Sequence, residues 1–270
     1  MQVTSERTVE APPRLRWWRE LLYVLAFYVI YSFVRNQFGS QRVGPKRAFH
    51  HAEIVIRIER AVGLFHEATI QGWFLSWHWF IRFWNVYYGT AHFVVTGGAL
   101  IWCYRRRAHD YPLWRNTLAA TTGLALIGFS TFPLMPPRLL NTSLLVDGQQ
   151  IGGGPFAKIN YQFVDTLEKI GGLWSFDSGA MQKLSNQYAA MPSLHCAWAL
   201  WVTLVMWPQA RKQWMRVLLV LYPISTLFCI IVTANHYWLD GVGGVITLFF
   251  GYLIGKRLAQ FTARRAQKIA

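Results

Sequence analysis

The 270-residue sequence has few charged residues and few cysteines. Only 14% of the residues are charged, whereas 53% are hydrophobic and 16% are aromatic. This balance argues against an ordinary soluble domain, because several apolar runs approach the ~20 residues that a helix needs to cross a bilayer. The three cysteines lie within apolar runs and have neither disulfide nor zinc-ligand spacing. We therefore expect no metal centre and no cofactor.

The sequence also lacks an internal repeat, a linker to a second domain and a cleavable-signal pattern at its amino terminus. The first apolar run starts late and ends without small residues suited to cleavage, so we expect it to remain as a membrane span. The predicted organisation is a cytoplasmic tail over residues 1–20, one membrane domain over 21–260, and a basic cytoplasmic tail over 261–270.

Acidic residues are scarce, since 12 Asp and Glu stand against 27 Lys and Arg, a formal net charge of +15. Such an excess can indicate nucleic-acid binding, but the basic residues cluster at the ends of apolar runs, as at Arg105-Arg106-Arg107. Membrane topology explains most of this excess, and we expect no nucleic-acid partner. Short basic loops and both termini share one side if the chain crosses six times, which predicts a multi-pass cell-membrane protein with cytoplasmic termini.

The apolar runs predict an all-α, polytopic fold with six transmembrane helices in a bundle and one amphipathic helix on the membrane surface. The spans are predicted at about 21–38, 79–104, 116–134, 193–208, 214–233 and 237–258. The polar outer segment between the third and fourth spans is expected to hold one short amphipathic helix near 156–170.

The surface helix is predicted over residues 48–67, which carry too many charges to span a membrane. Apolar residues recur there at helical spacing, so one face of the helix should be buried against the membrane or the bundle. The residues expected on that face are Ile54, Val55, Ile58, Ala61, Val62 and Phe65.

Two histidines stand where apolar runs begin or end. Two predicted spans separate His195 from His236, so both imidazoles are expected at the same depth on the outer side of the membrane. Asp240 follows His236 by four residues, and positions i and i+4 share a helix face. Its carboxylate can hold one ring nitrogen and leave the other free to attack. Ionisable groups inside membranes are costly, which favours a functional interpretation of this pair.

Two further features predict a binding site for phosphate. Ser193 follows Pro192 at a helix start, where its side chain can cap free amides and the amides can bind an anion. His195, one turn further on, can protonate a leaving oxygen. Arg138 follows two prolines and can bind phosphate through two N–H groups, although an arginine that extends to the membrane interface would show the same pattern.

Three motifs carry a resemblance to a known family. They are Pro136-Pro137-Arg138, Ala189-Ala190-Met191-Pro192-Ser193-Leu194-His195 and Asn235-His236-Tyr237-Trp238-Leu239-Asp240. They resemble the signature motifs of the type 2 phosphatidic acid phosphatase superfamily, and their form is closest to its inositol phosphorylceramide synthase-like branch. The resemblance implies a six-helix bundle and metal-independent phosphoryl transfer. It further implies that His236 becomes phosphorylated, that Asp240 orients it, and that His195 serves as general acid.

The sequence departs from the superfamily's phosphatases at several positions. Those enzymes carry a lysine where this chain has Thr131, and a Ser-Arg pair where it has Cys229 and Ile230. They usually carry glycine where this chain has Leu194. The phosphate site has therefore lost two cations, which favours the synthase-like branch over a plain phosphatase.

Four residues outside the motifs are secondary candidates. Lys183 lies shortly before the second motif and either replaces part of the lost charge or is a solvated loop lysine. Asn85, Tyr88 and His92 form a polar stripe at helical spacing on the second span. The stripe either lines a pocket for the substrate headgroup or forms hydrogen bonds with neighbouring helices.

The motifs predict an integral-membrane lipid phosphate phosphatase or phosphotransferase, with a lipid phosphate of the bilayer as substrate and either water or an alcohol as acceptor. Two alternatives stay open. Two histidines and a carboxylate can also form a facial metal site, which would give a metal-dependent membrane hydrolase but leaves Arg138 without a role. A non-catalytic lipid carrier would use the polar stripe as a path, although carrier sites usually lie near the middle of the membrane.

Overall fold

The structure, a computed structural model, describes residues 16–38, 45–141, 144–146, 149–151, 161–172 and 187–267. The helices are α1 (Trp17–Phe38), α2 (Pro45–Ala61), α3 (Glu67–Phe74), α4 (His78–Arg106), α5 (Tyr111–Thr131), α6 (Thr166–Lys169), α7 (Leu194–Met206), α8 (Gln213–Val232) and α9 (Trp238–Gln267). Two short strands, β1 (Leu144–Val146) and β2 (Gln149–Ile151), pair antiparallel. The fold is helical, as predicted, apart from this hairpin.

Each of the six predicted spans coincides with one of the helices α1, α4, α5, α7, α8 and α9. Within the described part of the chain, two helical stretches are long and apolar enough to cross a membrane, Gln213–Val232 and Trp238–Arg265. Both helices expose large apolar side chains, among them Leu218 and Ile224 on α8 and Phe249 on α9. Crossing by the other four helices stays a prediction.

The prediction for the surface helix was wrong in its extent and in its buried face. α2 begins at Pro45 and ends at Ala61, and a turn at Gly63, with φ of 72°, separates it from α3. Ile58 and Val62 are 47% and 59% exposed. The buried residues of α2 are Ala48, Ala52, Val55, Ile56 and Glu59. Small alanines let this face pack closely over the segment that follows α5, and Glu59 contacts the start of α9.

The short helix predicted near 156–170 is reduced to α6, Thr166–Lys169. Residues 161–165 have no regular secondary structure, and residues 152–160 lie outside the described part of the chain. α9 continues as far as Gln267, so the first residues of the predicted basic tail over 261–270 are helical.

α9 packs along α5 through two glycines. A Cβ atom added to Gly251 would lie 2.1 Å from Oγ1 of Thr121, and one added to Gly255 would lie 2.6 Å from the amide nitrogen of Thr117. Helix backbones approach this closely only where one of them carries no side chain. Gly251 and Gly255 therefore let the backbones of α9 and α5 pack closely.

The segment that follows α5 joins the three motifs. It lies between α2, the residues that precede α7 and the loop that precedes α9. Its hydrogen bonds run from Leu134 N to Tyr188 O at 2.8 Å, from Met135 N to Ala48 O at 3.1 Å, and from Arg138 N to Ala234 O at 2.8 Å. Tyr237 Oη donates to the carbonyl oxygen of Met135 at 3.1 Å. Backbone contacts thus hold the first motif beside the other two.

Candidate active site

His236 and Asp240 form a buried pair at the start of α9. Oδ2 of Asp240 lies 3.1 Å from Nδ1 of His236 and accepts the Tyr237 amide at 3.0 Å. The two residues are 3% and 0% exposed. A carboxylate can only accept, so Nδ1 carries the proton of the neutral imidazole. Nε2 then holds the free electron pair, and it has no hydrogen-bond partner among the described residues.

His195 lies in the first turn of α7 and faces His236. The centroids of the two rings are 5.5 Å apart. Nε2 of His195 is 3.3 Å from the carbonyl oxygen of Tyr88, and the two rings of His195 and Tyr88 stack at 4.3 Å. The structure therefore brings the two predicted histidines to one place, close enough to contact the same phosphate group.

Ser193 connects the two helix starts. Its Oγ accepts the Cys196 amide at 3.5 Å, as expected of a residue that caps α7. Its own amide donates to the carbonyl oxygen of Asp240 at 2.9 Å. Gly244, one turn further along α9, allows this contact, because a Cβ atom there would lie 2.4 Å from the carbonyl oxygen of Ser193. The starts of α7 and α9 therefore meet directly.

Arg138 lies in a short 3₁₀ turn (Pro137–Leu139) and is 7% exposed. Its amide donates to the carbonyl oxygen of Ala234, which lies two residues before His236 in the neighbouring loop. Its Nη1 is 2.5 Å from Oδ2 of Asp165, which is also buried. The guanidinium predicted to bind phosphate is therefore already paired with a carboxylate. Any phosphate that binds Arg138 must do so beside Asp165.

Asp165 was not predicted. Besides pairing with Arg138, it caps α6 by accepting the amides of Leu167 and Glu168 through Oδ1. An aspartate followed by a glutamate three residues later is typical of a helix start, so the spacing from Asp165 to Glu168 was a usable signal for the cap. No feature of the sequence indicated the bond to Arg138, since 27 residues separate the two.

The secondary candidates separate into three groups. Lys183 lies outside the described residues. Asn85 donates to the carbonyl oxygens of Thr166 and Gly171, both at 2.9 Å, and so fixes the outer segment and does not line the cavity beside the histidines. Tyr88 and His92 do line that cavity, and the ring of His92 lies 4.1 Å from the ring of His195.

This cavity has a volume of about 630 Å³. His195, His236, Tyr88 and His92 form a polar part of its wall. The remaining walls come mostly from apolar side chains of α1, α4, α5 and α7, such as Phe27, Phe93, Phe129 and Trp198. A polar end that joins a larger apolar space suits an amphiphilic ligand.

Two more carboxyl groups that the sequence did not single out reach the start of α9. Glu59 accepts the Leu239 amide at 2.8 Å, and Glu67 accepts the Trp238 amide at 3.4 Å. Burial, and after it the neighbouring Glu67, raises the pKa of Glu59 to about 9. In the described ranges, no group of three His, Cys, Asp or Glu side chains is placed to hold one metal ion.

Comparisons with known proteins bear on this geometry at the level of the family. Curated proteins and solved structures gave no significant match. The sequence model of the PAP2 superfamily matches residues 53–254. That match covers most of the chain and contains all three motifs, the two histidines, Asp240 and Arg138. The chain therefore belongs to the PAP2 superfamily, whose members are generally phosphatases.

Proposed function

We propose that this protein is an integral-membrane lipid phosphate phosphatase or phosphotransferase of the inositolphosphotransferase-like type, which works through a phosphohistidine. The observation that carries the proposal is the pair of imidazoles 5.5 Å apart at one cavity, with Nδ1 of His236 held by Asp240. Nothing in this arrangement requires a metal ion, since the nucleophile, the acid and a phosphate-binding cation are all side chains.

In the first half-reaction, Nε2 of neutral His236 attacks the phosphorus atom. An N–P bond forms as the P–O bond to the lipid alcohol breaks, and His195 gives its proton to the departing oxygen. An imidazolium carries protons on both nitrogens, so His195 can donate to the Tyr88 carbonyl with one and to the leaving oxygen with the other. Asp240 stabilises the positive charge that develops on His236.

In the second half-reaction, water or an acceptor alcohol attacks the phosphohistidine, and the N–P bond breaks as a new P–O bond forms. His195 is now neutral and takes the proton of the attacking oxygen. Arg138, Ser193 and the amides at the start of α7 bind the equatorial oxygens, where charge concentrates in the transition state. Turnover should therefore have a bell-shaped pH profile, because it needs His236 neutral and His195 protonated.

The cavity supports a lipid as the substrate. Its apolar walls can hold the part of a hydrocarbon chain next to the phosphate, while the histidines contact the phosphate itself. α1 supplies Val24, Phe27 and Tyr28 to this wall. Apart from these contacts, α1 is held near its start, where Oε1 of Glu20 lies 2.6 Å from Nη1 of Arg115.

The proposed topology has six crossings, both termini in the cytoplasm, and the site on the outer face of the cell membrane. Three features support it. α7 and α9 run in the same direction with α8 between them, their starts are in contact, and Arg138 follows the end of α5 at the same level. Cysteine accessibility on either side of the membrane, measured in intact cells, tests this arrangement. A cysteine at position 195 or 236 that is labelled only from the cytoplasm would contradict it.

The nucleophile is tested by trapping. Protein incubated with a ³²P-labelled lipid phosphate and quenched in alkali should retain acid-labile label on His236. His236→Asn should lose both the label and turnover, and His78→Asn, which replaces an exposed histidine at the start of α4, should keep both. Label or turnover that survives in His236→Asn would end the proposal.

The general acid is tested with a leaving group that needs no proton. For an aryl phosphate, His195→Asn should form the phosphohistidine at a rate near that of the unchanged protein, whereas for an alkyl phosphate the rate should fall by ~10²–10⁴-fold. His236→Asn should fail with both substrates. Equal losses for both substrates in His195→Asn would remove the acid role.

Two further measurements separate the alternatives. Loss of turnover in a chelator, restored by a divalent metal, would replace this proposal with a metal-dependent hydrolase. Lipid movement between leaflets that is unchanged in His195→Asn and His236→Asn, without any turnover, would identify a carrier. A panel of lipid phosphates and phosphodiesters, with and without alcohol acceptors, then distinguishes hydrolysis from transfer and identifies the lipid.

A further inference from the structure

Two carboxyl groups of the molecule are fully buried and take no part in the proposed chemistry. Glu59, near the end of α2, and Glu67, the first residue of α3, are both 0% exposed. Glutamates are rarely buried to this degree unless a partner satisfies them. Their position beside the third motif therefore needs an explanation.

Their partners are the first amides of α9. Oε1 of Glu59 accepts the Leu239 amide at 2.8 Å, and Oε1 of Glu67 accepts the Trp238 amide at 3.4 Å. The first amides of a helix have no partner within the helix, and the helix dipole favours negative charge near them. The Tyr237 amide, just before these two, is taken by Asp240. Three carboxyl groups therefore cap this helix start, and two of them come from distant helices.

The remaining oxygens of both carboxyls have no donor within the described part of the chain. The Oε2 atoms of Glu59 and Glu67 are buried and have no hydrogen-bond partner among the described residues. A buried carboxylate without a compensating partner is costly, so burial favours the neutral acid. Burial therefore raises the pKa of Glu59 well above its usual value, and the neighbouring Glu67 raises it further. Glu59 caps the Leu239 amide as a neutral acid at pH 7.

We propose that Glu59, as a neutral acid, and Glu67 cap the first amides of α9 from distant helices, fix its first turn, and thereby position Asp240 and His236 for attack on phosphorus. The inference rests on the proposed function for its effect on turnover. The groups that face the pair are the amides of Trp238 and Leu239, the carboxylate of Asp240 and the phenol of Tyr237. Glu59 and Glu67 are positioning residues, since neither lines the cavity.

The proton on Glu59 makes the free energy of unfolding depend on pH. The pKa of Glu59 is raised from 4.5 to about 9, mainly by burial. A carboxyl whose pKa is raised on folding contributes stability that is fully present below pH 4.5 and is lost as pH rises through about 9. Ionisation of Glu59 places an uncompensated negative charge in a buried site near Asp240, and should loosen the turn that Glu59, Glu67 and Asp240 hold.

Glu59→Gln keeps the cap and removes the ionisable group. Its amide oxygen can accept from Leu239, and the side chain carries no charge at any pH. We expect Glu59→Gln to keep kcat near that of the unchanged protein at pH 7 and to remove most of the decline in Tm between pH 5 and pH 9. Glu53→Gln, at an exposed position of the same helix, should keep the decline. An unchanged decline in Glu59→Gln would overturn the neutral state of Glu59 as the source of the pH dependence.

Glu59→Ala removes the acceptor itself. We expect kcat to fall on the order of 10²-fold, because a small displacement of a reacting group is enough for such a loss, while KM changes little. A purely structural role would lower the amount of folded protein and leave kcat per folded molecule unchanged. The positioning role is overturned if Glu59→Ala matches Glu53→Gln in kcat, or if Glu59→Gln fails to restore what Glu59→Ala loses.

These readouts also separate this inference from the proposed function. The dependence of Tm on pH needs no substrate, so it tests the neutral state of Glu59 even if the protein catalyses no phosphoryl transfer. Conversely, a His236→Asn protein without a phosphohistidine would support the proposed function whatever Glu59→Gln does.

Discussion

The starts of α7 and α9 deliver the two histidines to the same cavity, but they are held in different ways. α7 is capped by Ser193, the residue that immediately precedes it, through one hydrogen bond of 3.5 Å. α9 is capped by Asp240 from its own first turn, and by Glu59 and Glu67 from positions 180 and 171 residues earlier in the chain. The start that carries the proposed nucleophile therefore depends on tertiary contacts, and the start that carries the proposed acid depends on local ones.

This difference fits the two proposed roles. A nucleophile needs one fixed direction of attack, and the bonds that hold His236 and its turn include several of 2.8–3.1 Å. His195 has to give a proton in one half-reaction and take one in the other, and its bonds are longer, with Nε2 3.3 Å from the Tyr88 carbonyl. We infer that fixing the direction of attack matters more here than fixing the acid.

The largest effect should follow a change at the start of α9. Asp240→Asn keeps the shape of the side chain but loses the charge that stabilises the imidazolium, and its NH₂ group can hold the wrong tautomer of His236. In a serine protease the equivalent change lowers kcat by about 10⁴-fold, and we expect ~10³–10⁴-fold here. Steady-state kinetics with the labelled lipid phosphate measures it. The control is Asp110→Asn, which lies just before the start of α5, at the end of that helix away from Arg138, and should retain activity. A loss of less than tenfold in Asp240→Asn would contradict the orienting role.

A change that separates the two starts should have the next largest effect. Gly244→Ala places a Cβ atom against the carbonyl oxygen of Ser193, so α9 must move away from α7. Forcing a methyl group into a packed contact typically costs ~1–3 kcal/mol, and the histidine rings should also move apart. The midpoint of thermal unfolding, measured in detergent, and kcat should both fall. Gly123→Ala on α5, whose Cβ would meet no atom within 4 Å, should leave both unchanged or raise stability slightly.

The same division between local and tertiary contacts separates the contacts that could be predicted from the sequence from those that could not. The cap at Ser193, the pairing of His236 with Asp240 and the glycines of α9 follow from spacings of a few residues, and the structure contains each of these contacts. The carboxyls of Glu59, Glu67 and Asp165 act across long sequence separations. No periodic pattern in the sequence indicates contacts between residues so far apart in the chain, so these contacts were not predicted.

The surface helix shows how a periodic pattern can mislead. Apolar periodicity predicted a buried face that included Ile58 and Val62, but both are exposed in the structure. The buried face of α2 instead carries Glu59, because the partner of that face is not a uniform apolar surface. It includes the start of a helix, where free amides need acceptors. Hydrophobicity alone could not show that need.

The smallest effect on stability should come from the local cap. Ser193→Ala removes one acceptor, and a typical capping residue is worth ~1 kcal/mol. The bond here is long, so we expect a loss at or below that value, smaller than for Gly244→Ala. The catalytic effect should be larger than the structural one, because Oγ accepts from Cys196 and can still donate its proton to a phosphate oxygen. We expect a rise in KM and a fall in kcat/KM of ~10-fold, with Ser225→Ala, an exposed serine of α8, as control. If Ser193→Ala instead destabilises the protein as much as Glu59→Ala does, the two helix starts depend equally on their caps, and the contrast between a local and a tertiary start does not hold.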